Sequence, residues 1–307
     1  MIDFQRMSLA HKEQYQQILF ASPERGCEYS FSNLYLWGIQ NVAFLHGCAA
    51  LFSHFNGKSI YPYPIGSGDK KAVIEEILQD ARQRGIPCRI SGITEADRQE
   101  LEQLFPGVFH IQPIRDSFDY VYDIDTLADL RGKKLQSKRN HFNRFCIEHP
   151  EHQVIPMCCE WAPRAKEFME GWFSRRRQAD PHGDYLLENI AIARALNHCG
   201  EIGMEGLLLV EDGKILAITM GSRLSGDTFD IHFEKALEDV PGAYAAINCH
   251  FARYLRLKYP EVRYLNREED MGLEGLRTAK LSYRPHHMVE KHRAYVQEEI
   301  YGNQASR

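Results

Sequence analysis

Apolar positions along the chain switch between a repeat of two and a repeat of about 3.6 residues, and the switches mark out alternating strands and helices. After a short opening strand at Phe4–Met7, Ser8 stands where a cap belongs, before a helix predicted over Leu9–Leu19. Asn41–Leu45, Ala49–Phe55 and Ser59–Tyr63 read as a three-strand meander turned at His46-Gly47 and Asn56-Gly57. Asn-Gly is the stronger hairpin signal, since its turn needs positive φ at both central residues. Val73, Ile74, Ile77, Leu78 and Ala81 then recur at helical spacing until Gly85. A strand at Pro87–Ile90, a helix at Thr94–Leu104 and strands at Phe109–Ile114 and Phe118–Tyr122 complete this first set.

The second half repeats the order with longer helices. Leu130–Glu148 reads as a basic helix and Gln153–Met157 as a strand. Two helices, Trp161–Arg177 and Tyr185–His198, flank the breaker run Ala179-Asp180-Pro181-His182-Gly183. Three strands follow at Glu205–Val210, Ile215–Ser222 and Thr228–Glu234, the first two joined through Asp212-Gly213. A helix at Ala243–Lys258, a strand at Val262–Leu265, a helix at Leu273–Leu281 and a last strand at His287–His292 end the pattern. Each half thus holds a meander, a helix, a strand and a helix: a repeat of architecture rather than of sequence. This predicts an α+β protein with mixed sheets in two domains, 1–125 and 126–307, with no Gly/Ser-rich or Pro-rich linker between them.

Composition narrows the class. Of 307 residues, 44% are hydrophobic and 26% charged, the balance of a globular chain. The net charge of −5 excludes a uniformly basic nucleic-acid coat but not a local basic patch. The start of the chain lacks an apolar signal core, and the apolar runs Val42–Leu45 and Leu207–Val210 are too short to span a bilayer, so a cytoplasmic protein is expected. The eight cysteines form no C-x-x-C pair and read as reduced, buried thiols.

Candidate chemistry lies in three places. Between Arg131 and Arg144 the chain has six basic residues and no acid, over an apolar stripe of Leu135, Phe142, Phe145 and Cys146. Arg139 falls on that stripe, with Lys134 and Lys138 beside it, and a buried guanidinium needs an anionic partner: an internal carboxylate, or the phosphate of a ligand or tRNA. Second, Pro241-Gly242-Ala243 opens a helix after a strand, where free N–H groups suit a phosphate or carboxylate. Third, Asn266-Arg267-Glu268-Glu269-Asp270 follows a strand, and the carboxyl ends of strands face the ligand crevice in open α/β sheets. Glu268 and Glu269 are candidates for a general base or an amine-binding acid, whereas Asp270 has a simple use as a helix cap. Lys280, near the packed face of the next helix, either reaches back to the crevice or snorkels.

Other segments read as structure. Gly66-Ser67-Gly68 lacks phosphate-loop spacing and marks a helix start; the aromatic run Glu28–Trp37 reads as core. The pairs His149/His152 and His286/His287 lack a third ligand at metal spacing, so no metal is expected.

The segment Leu130–Phe145, the turn Val240-Pro241-Gly242-Ala243-Tyr244 and above all Tyr264-Leu-Asn-Arg-Glu-Glu-Asp-Met-Gly-Leu-Glu-Gly-Leu-Arg-Thr-Ala-Lys-Leu-Ser-Tyr283 resemble the bacterial family related to the C-terminal domain of phosphatidylglycerol lysyltransferase. The resemblance runs over nearly the whole chain. It implies two tandem GNAT-like (acyl-CoA N-acyltransferase-like) domains, a fold shared with peptidoglycan-bridge aminoacyltransferases. It also implies transfer of an acyl or aminoacyl group to an amine or hydroxyl of a small molecule, peptide or lipid headgroup. Glu268 and Glu269 would be catalytic. Lys134, Lys138, Arg139, Gly242 and Ala243 would hold donor phosphates, and Glu234, Asn266, Arg267, Lys280 and Tyr283 would bind substrate.

No motif fixes a cofactor; a CoA thioester and an aminoacyl-tRNA are the two donors the resemblance allows. The loop Glu238-Asp-Val-Pro-Gly-Ala-Tyr244 carries acids where GNAT acetyltransferases usually show a basic, glycine-rich pyrophosphate loop, which favours the aminoacyl donor over acetyl-CoA. A non-catalytic RNA-binding module using the Arg131–Arg144 patch is the alternative of another class, and would show strongly salt-dependent RNA affinity.

Overall fold

A computed structural model describes residues 1–55, 57–180 and 185–297, which divide into two units. The first comprises 1–119, 269–273 and 289–297; the second comprises 120–268 and 274–288. Asn56 of the expected Asn56-Gly57 turn, and 181–184 of the expected breaker run, lie outside the described residues.

The strands in chain order are β1 (Gln5–Arg6), β2 (Gln40–Leu45), β3 (Cys48–Phe55), β4 (Lys58–Pro62), β5 (Ile65–Gly66), β6 (Arg89–Ile93), β7 (Phe109–Pro113), β8 (Asp119–Asp123), β9 (Gln153–Pro156), β10 (Met204–Glu211), β11 (Lys214–Arg223), β12 (Thr228–Ala236), β13 (Tyr264–Asn266), β14 (His287–Val289) and β15 (His292–Val296). The helices are α1 (Lys12–Phe20), α2 (Phe31–Trp37), α3 (Lys70–Arg84), α4 (Glu95–Leu104), α5 (Ile124–Asp129), α6 (Gln136–Glu148), α7 (Ala162–Ala179), α8 (Leu186–Ile202), α9 (Ala243–Lys258) and α10 (Glu274–Leu281).

In the first unit the sheet runs β1-β2-β3-β4-β6-β15-β7, with β5 paired to β3. The periodic residues of α3 do what their spacing predicts: Val73, Ile74, Ile77 and Ala81 are buried with Tyr61, Ile90 and Ala294. Asp69 caps α3, accepting from the Ala72 N–H at 3.0 Å, so the Gly66–Gly68 stretch is a helix start. The aromatic run is also core: Ser30 caps α2, and Tyr29, Phe31, Leu34 and Leu36 are buried.

The second unit's sheet has the order β14-β8-β13-β12-β11-β10-β9. Its core joins Phe145 of α6, Phe229 of β12, Ile247 and Phe251 of α9, and Leu265 of β13. β8 and β13, β12 and β11, β11 and β10, and β10 and β9 pair antiparallel, whereas β12 and β13 run parallel over Thr228–Asp230 and Tyr264–Asn266. β12 continues to Ala236 while β13 ends at Asn266, so the strands part beyond the Asp230–Asn266 pair.

Three expectations need correcting. The single strand expected at His287–His292 is two: β14 joins the second sheet, and β15 is hydrogen-bonded between β6 and β7 in the first. For that reason 289–297 group with the first unit, and a division into 1–125 and 126–307 does not describe the chain. The basic helix starts at Gln136 rather than Leu130, because Leu130 and Gly132 take positive φ of 51° and 85° and break the turn after α5.

Candidate active site in the second unit

Where β12 and β13 separate, β12 carries the polar residues Asp230, His232 and Glu234, with His232 at a shift of register against β11. Polar groups on a buried strand cost free energy unless paired, and here they have partners. His232 Nε2 meets Ser222 Oγ at 2.8 Å, and its Nδ1 lies 3.2 Å from Glu268 Oε1 and 3.5 Å from Asp230 Oδ2. The side chains of His232 and Asp230 are fully buried, while Glu268 is 24% exposed, so Glu268 is the member of this array nearest solvent. Asp230, His232 and Glu268 offer three ligand atoms within 4.8 Å of one another, a set that could hold a metal ion. No metal was expected from the sequence, because the set joins β12 to the loop that follows β13.

Glu268 sits in the left-handed region at φ 57°, held by its N–H donating to Asn266 Oδ1 at 2.8 Å. Lys280, reaching back from the last turn of α10, donates to the carbonyls of Arg267 at 2.5 Å and Glu268 at 3.0 Å. Asn266 and Lys280 thus shape the loop that presents Arg267 and Glu268.

Glu234 Oε1 pairs with Arg267 Nη2 at 2.7 Å and Glu234 Oε2 accepts from Asn248 Nδ2 at 3.1 Å. The Arg267 guanidinium stacks over Tyr283 at 4.9 Å and Tyr122 at 5.7 Å, and its buried Nη1 has no hydrogen-bond acceptor among the described residues. Burial opposes the charge of Arg267 most strongly, yet Glu234, Tyr122 and Tyr283 together outweigh it and raise the pKa. Lys138 lies over the same Tyr283 ring at 4.4 Å, and burial, then Arg267, push its pKa down. Burial pushes Tyr283 up to about 12, so it is a neutral phenol at neutral pH. Two cations therefore face one ring, one of them already paired with Glu234, an arrangement that suits an anion.

Lys138 and Tyr283 also line a cleft of 220 Å³ with His141, Glu238, Gly242 and Tyr244. The helix α9 opens into it. Ala243 N–H is used by Val240 O at 3.2 Å, and the first i→i−4 bond is Ala246 N–H to Gly242 O. The N–H groups of Tyr244 and Ala245 precede that bond and point out of the helix start. Gly242 is needed there twice over: its φ is 84°, and a Cβ would stand 2.2 Å from the His141 carbonyl.

The remaining expected residues lie elsewhere. Arg139 donates to the carbonyls of Leu130 at 2.6 Å and Gly132 at 3.3 Å, so its expected anionic partner is replaced by backbone oxygens at the end of α5. Lys134 is exposed in a short 3-10 turn. Glu269 belongs to the first unit, where its Oε2 accepts from Cys27 Sγ at 3.3 Å. Adjacent in sequence, Glu268 and Glu269 serve different clusters. Asp270 accepts from the Gly272 N–H at 2.9 Å and pairs with Arg115 Nη1 at 3.2 Å. Sequence reasoning missed Ser222, Asp230, His232 and Asn248; the available signal was polar residues at every second position of a strand otherwise buried.

Residues 20–295 match the family described as phosphatidylglycerol lysyltransferase, C-terminal. The chain belongs to this family. A conserved protein of unknown function from Bacteroides thetaiotaomicron is 34% identical to it, with 97% of this chain and 100% of that one covered and a TM-score of 0.92. L-PGS from Bacillus licheniformis is 15% identical over 97% of this chain and 94% of that one, with a TM-score of 0.68. FemX is 10% identical over the full length of both chains, with a TM-score of 0.61. The last two share the fold, two GNAT-like domains in tandem. The chain spans 55% of the length of the curated relative it matches, an uncharacterised protein of Mycoplasmoides gallisepticum that is 23% identical over 179 residues. No described helix is long and apolar enough to cross a membrane.

Proposed function

We propose that the chain transfers an activated acyl or aminoacyl group to an amine or hydroxyl acceptor, with the chemistry in the second unit. The observation that carries this reading is the paired cations Arg267 and Lys138 on Tyr283, beside the start of α9, with one Arg267 nitrogen lacking an acceptor. An anionic donor fits there: its phosphate would meet Lys138, Arg267 Nη1 and the N–H groups of Tyr244 and Ala245. The edge of β12 beyond Asp230, no longer paired to β13, would offer N–H donors to the oxygen of the reacting carbonyl. Glu268, backed by His232, would accept the proton of the attacking amine or hydroxyl. We place the protein in the cytoplasm, with a small molecule, peptide or lipid headgroup as acceptor.

Aminoacyl-tRNA is the preferred donor, because Glu238 in the cleft lining would repel the pyrophosphate of CoA. The cleft at the start of α9 is what favours the second reading, a CoA-dependent N-acetyltransferase. Thermal shift with a non-hydrolysable aminoacyl-adenylate and, in parallel, with CoA separates the two. Stabilisation by the adenylate that is lost in Arg267→Met supports the first; stabilisation by CoA alone supports the second. No shift with either at saturating ligand overturns both.

A further inference from the structure

In the first unit four charged or polar groups close around the Cys27 thiol. Sγ donates to Asp119 Oδ1 and to Glu269 Oε2, each at 3.3 Å. Lys291 Nζ lies 3.6 Å from Sγ, 2.7 Å from Asp119 Oδ1, 2.6 Å from Glu28 Oε2 and 3.7 Å from Glu269 Oε2. The Cys27 N–H donates to Asp119 Oδ2 at 2.7 Å, which fixes the thiol against the lysine. Cys27 and Lys291 are buried, and the side chains of Glu28 and Glu269 are 27% and 35% exposed, with Glu28 Oε2 turned inward.

We propose that Cys27 and Lys291 are a covalent modification site, closed by peroxide into a sulfur–oxygen–nitrogen bridge between the two side chains. The geometry supplies what the chemistry needs: a thiol and an amine held side by side, and carboxylates to take the amine's proton, two of them on partly exposed side chains. The thiol and one peroxide give a sulfenic acid and water. The lysine nitrogen, its proton passed to Asp119 or Glu28, and a second peroxide give a hydroxylamine and water. The hydroxylamine oxygen then attacks the sulfenic sulfur, forming the S–O bond and expelling water. The sum is one thiol, one amine and two peroxides giving one bridge and three waters.

Two features shape the behaviour of the pair. Burial opposes the charge of Lys291, but Asp119, then Cys27, Glu28 and Glu269, outweigh it and raise its pKa well above the ordinary lysine value. The amine is thus held protonated, and bridging should quicken as pH rises. The bridge also removes the charge of the cation that Asp119, Glu28 and Glu269 share, so oxidation should lower the melting temperature.

The test is mass spectrometry of the full chain after hydrogen peroxide, digested without reductant. The expected product is a peptide containing Cys27 joined to one containing Lys291, heavier by one oxygen and lighter by two hydrogens, and returned to free peptides by dithiothreitol. Cys27→Ser and Lys291→Arg should each abolish it, and its yield should rise from pH 7 to pH 9. The exposed Cys158 serves as the internal control for oxidation. Cys27 found as free thiol or sulfinic acid with no joined peptide, while Cys158 is oxidised, overturns the proposal. So does a joined peptide that persists in Lys291→Arg. Because the wild-type protein alone either yields the joined peptide or fails to, the experiment decides the matter even if a variant does not fold.

Discussion

Replacing Arg267 by Met tests the candidate site and its energetics together. The guanidinium is 14% exposed and its partner Glu234 11% exposed, so the variant leaves a largely buried carboxylate without its cation. Breaking a buried pair by removing one member costs about 3–5 kcal/mol. Glu234 keeps its hydrogen bond from Asn248 Nδ2, and bonds to charged groups are worth about 1.5–3 kcal/mol, so the expected loss falls to roughly 2–4 kcal/mol. Urea denaturation at neutral pH measures it. The double variant with Glu234→Gln should be more stable than the sum of the single losses predicts, since it removes both the charge and its missing partner. A loss below about 1 kcal/mol, or strict additivity of the two substitutions, would refute the claim that this pair is buried and coupled.

Two further outcomes follow from local geometry. Gly242→Ala meets both a positive φ and the His141 carbonyl, so it should cost more than the roughly 1–2 kcal/mol of left-handed strain alone and abolish the adenylate shift, whereas Gly226→Ala, with open space around it, should do neither. Glu205, although burial pulls the other way, is held below the ordinary carboxylate range by Lys258, Tyr259 and Tyr254. Its stabilisation is therefore present above the unfolded pKa and lost as pH falls through the lower folded value. Glu205→Gln should cost about 1–2 kcal/mol at pH 7, and the difference should close in acid; a deficit equal at pH 7 and pH 3 would contradict the assignment.

Elements with strong local signals were legible in the sequence. The 3.6-residue repeat of α3 follows from which side chains share a helix face, and the turn at Asp212-Gly213 from the positive φ that both residues adopt, 48° and 73°. Arg267 could be singled out from the polar run after a strand, Lys138 from the basic segment Arg131–Arg144, and Glu234 and Tyr283 from the family resemblance. Their meeting could not be read, since Glu234 and Arg267 are 33 positions apart and joined only by the parallel pairing of β12 and β13. The separation of Glu268 from Glu269 was hidden for a related reason. Side-chain direction depends on backbone angles, and the positive φ of Glu268 is imposed by Asn266 and by Lys280 from α10, not by its own neighbourhood in the chain. Likewise β14 and β15 carry one continuous strand-like pattern, and only the hydrogen-bonding edges available in each sheet decide that they part. Local steric preference and periodicity act over a few residues and so are written in the sequence; pairing of edges and burial of charge depend on what folding brings alongside, and only the tertiary structure decides them.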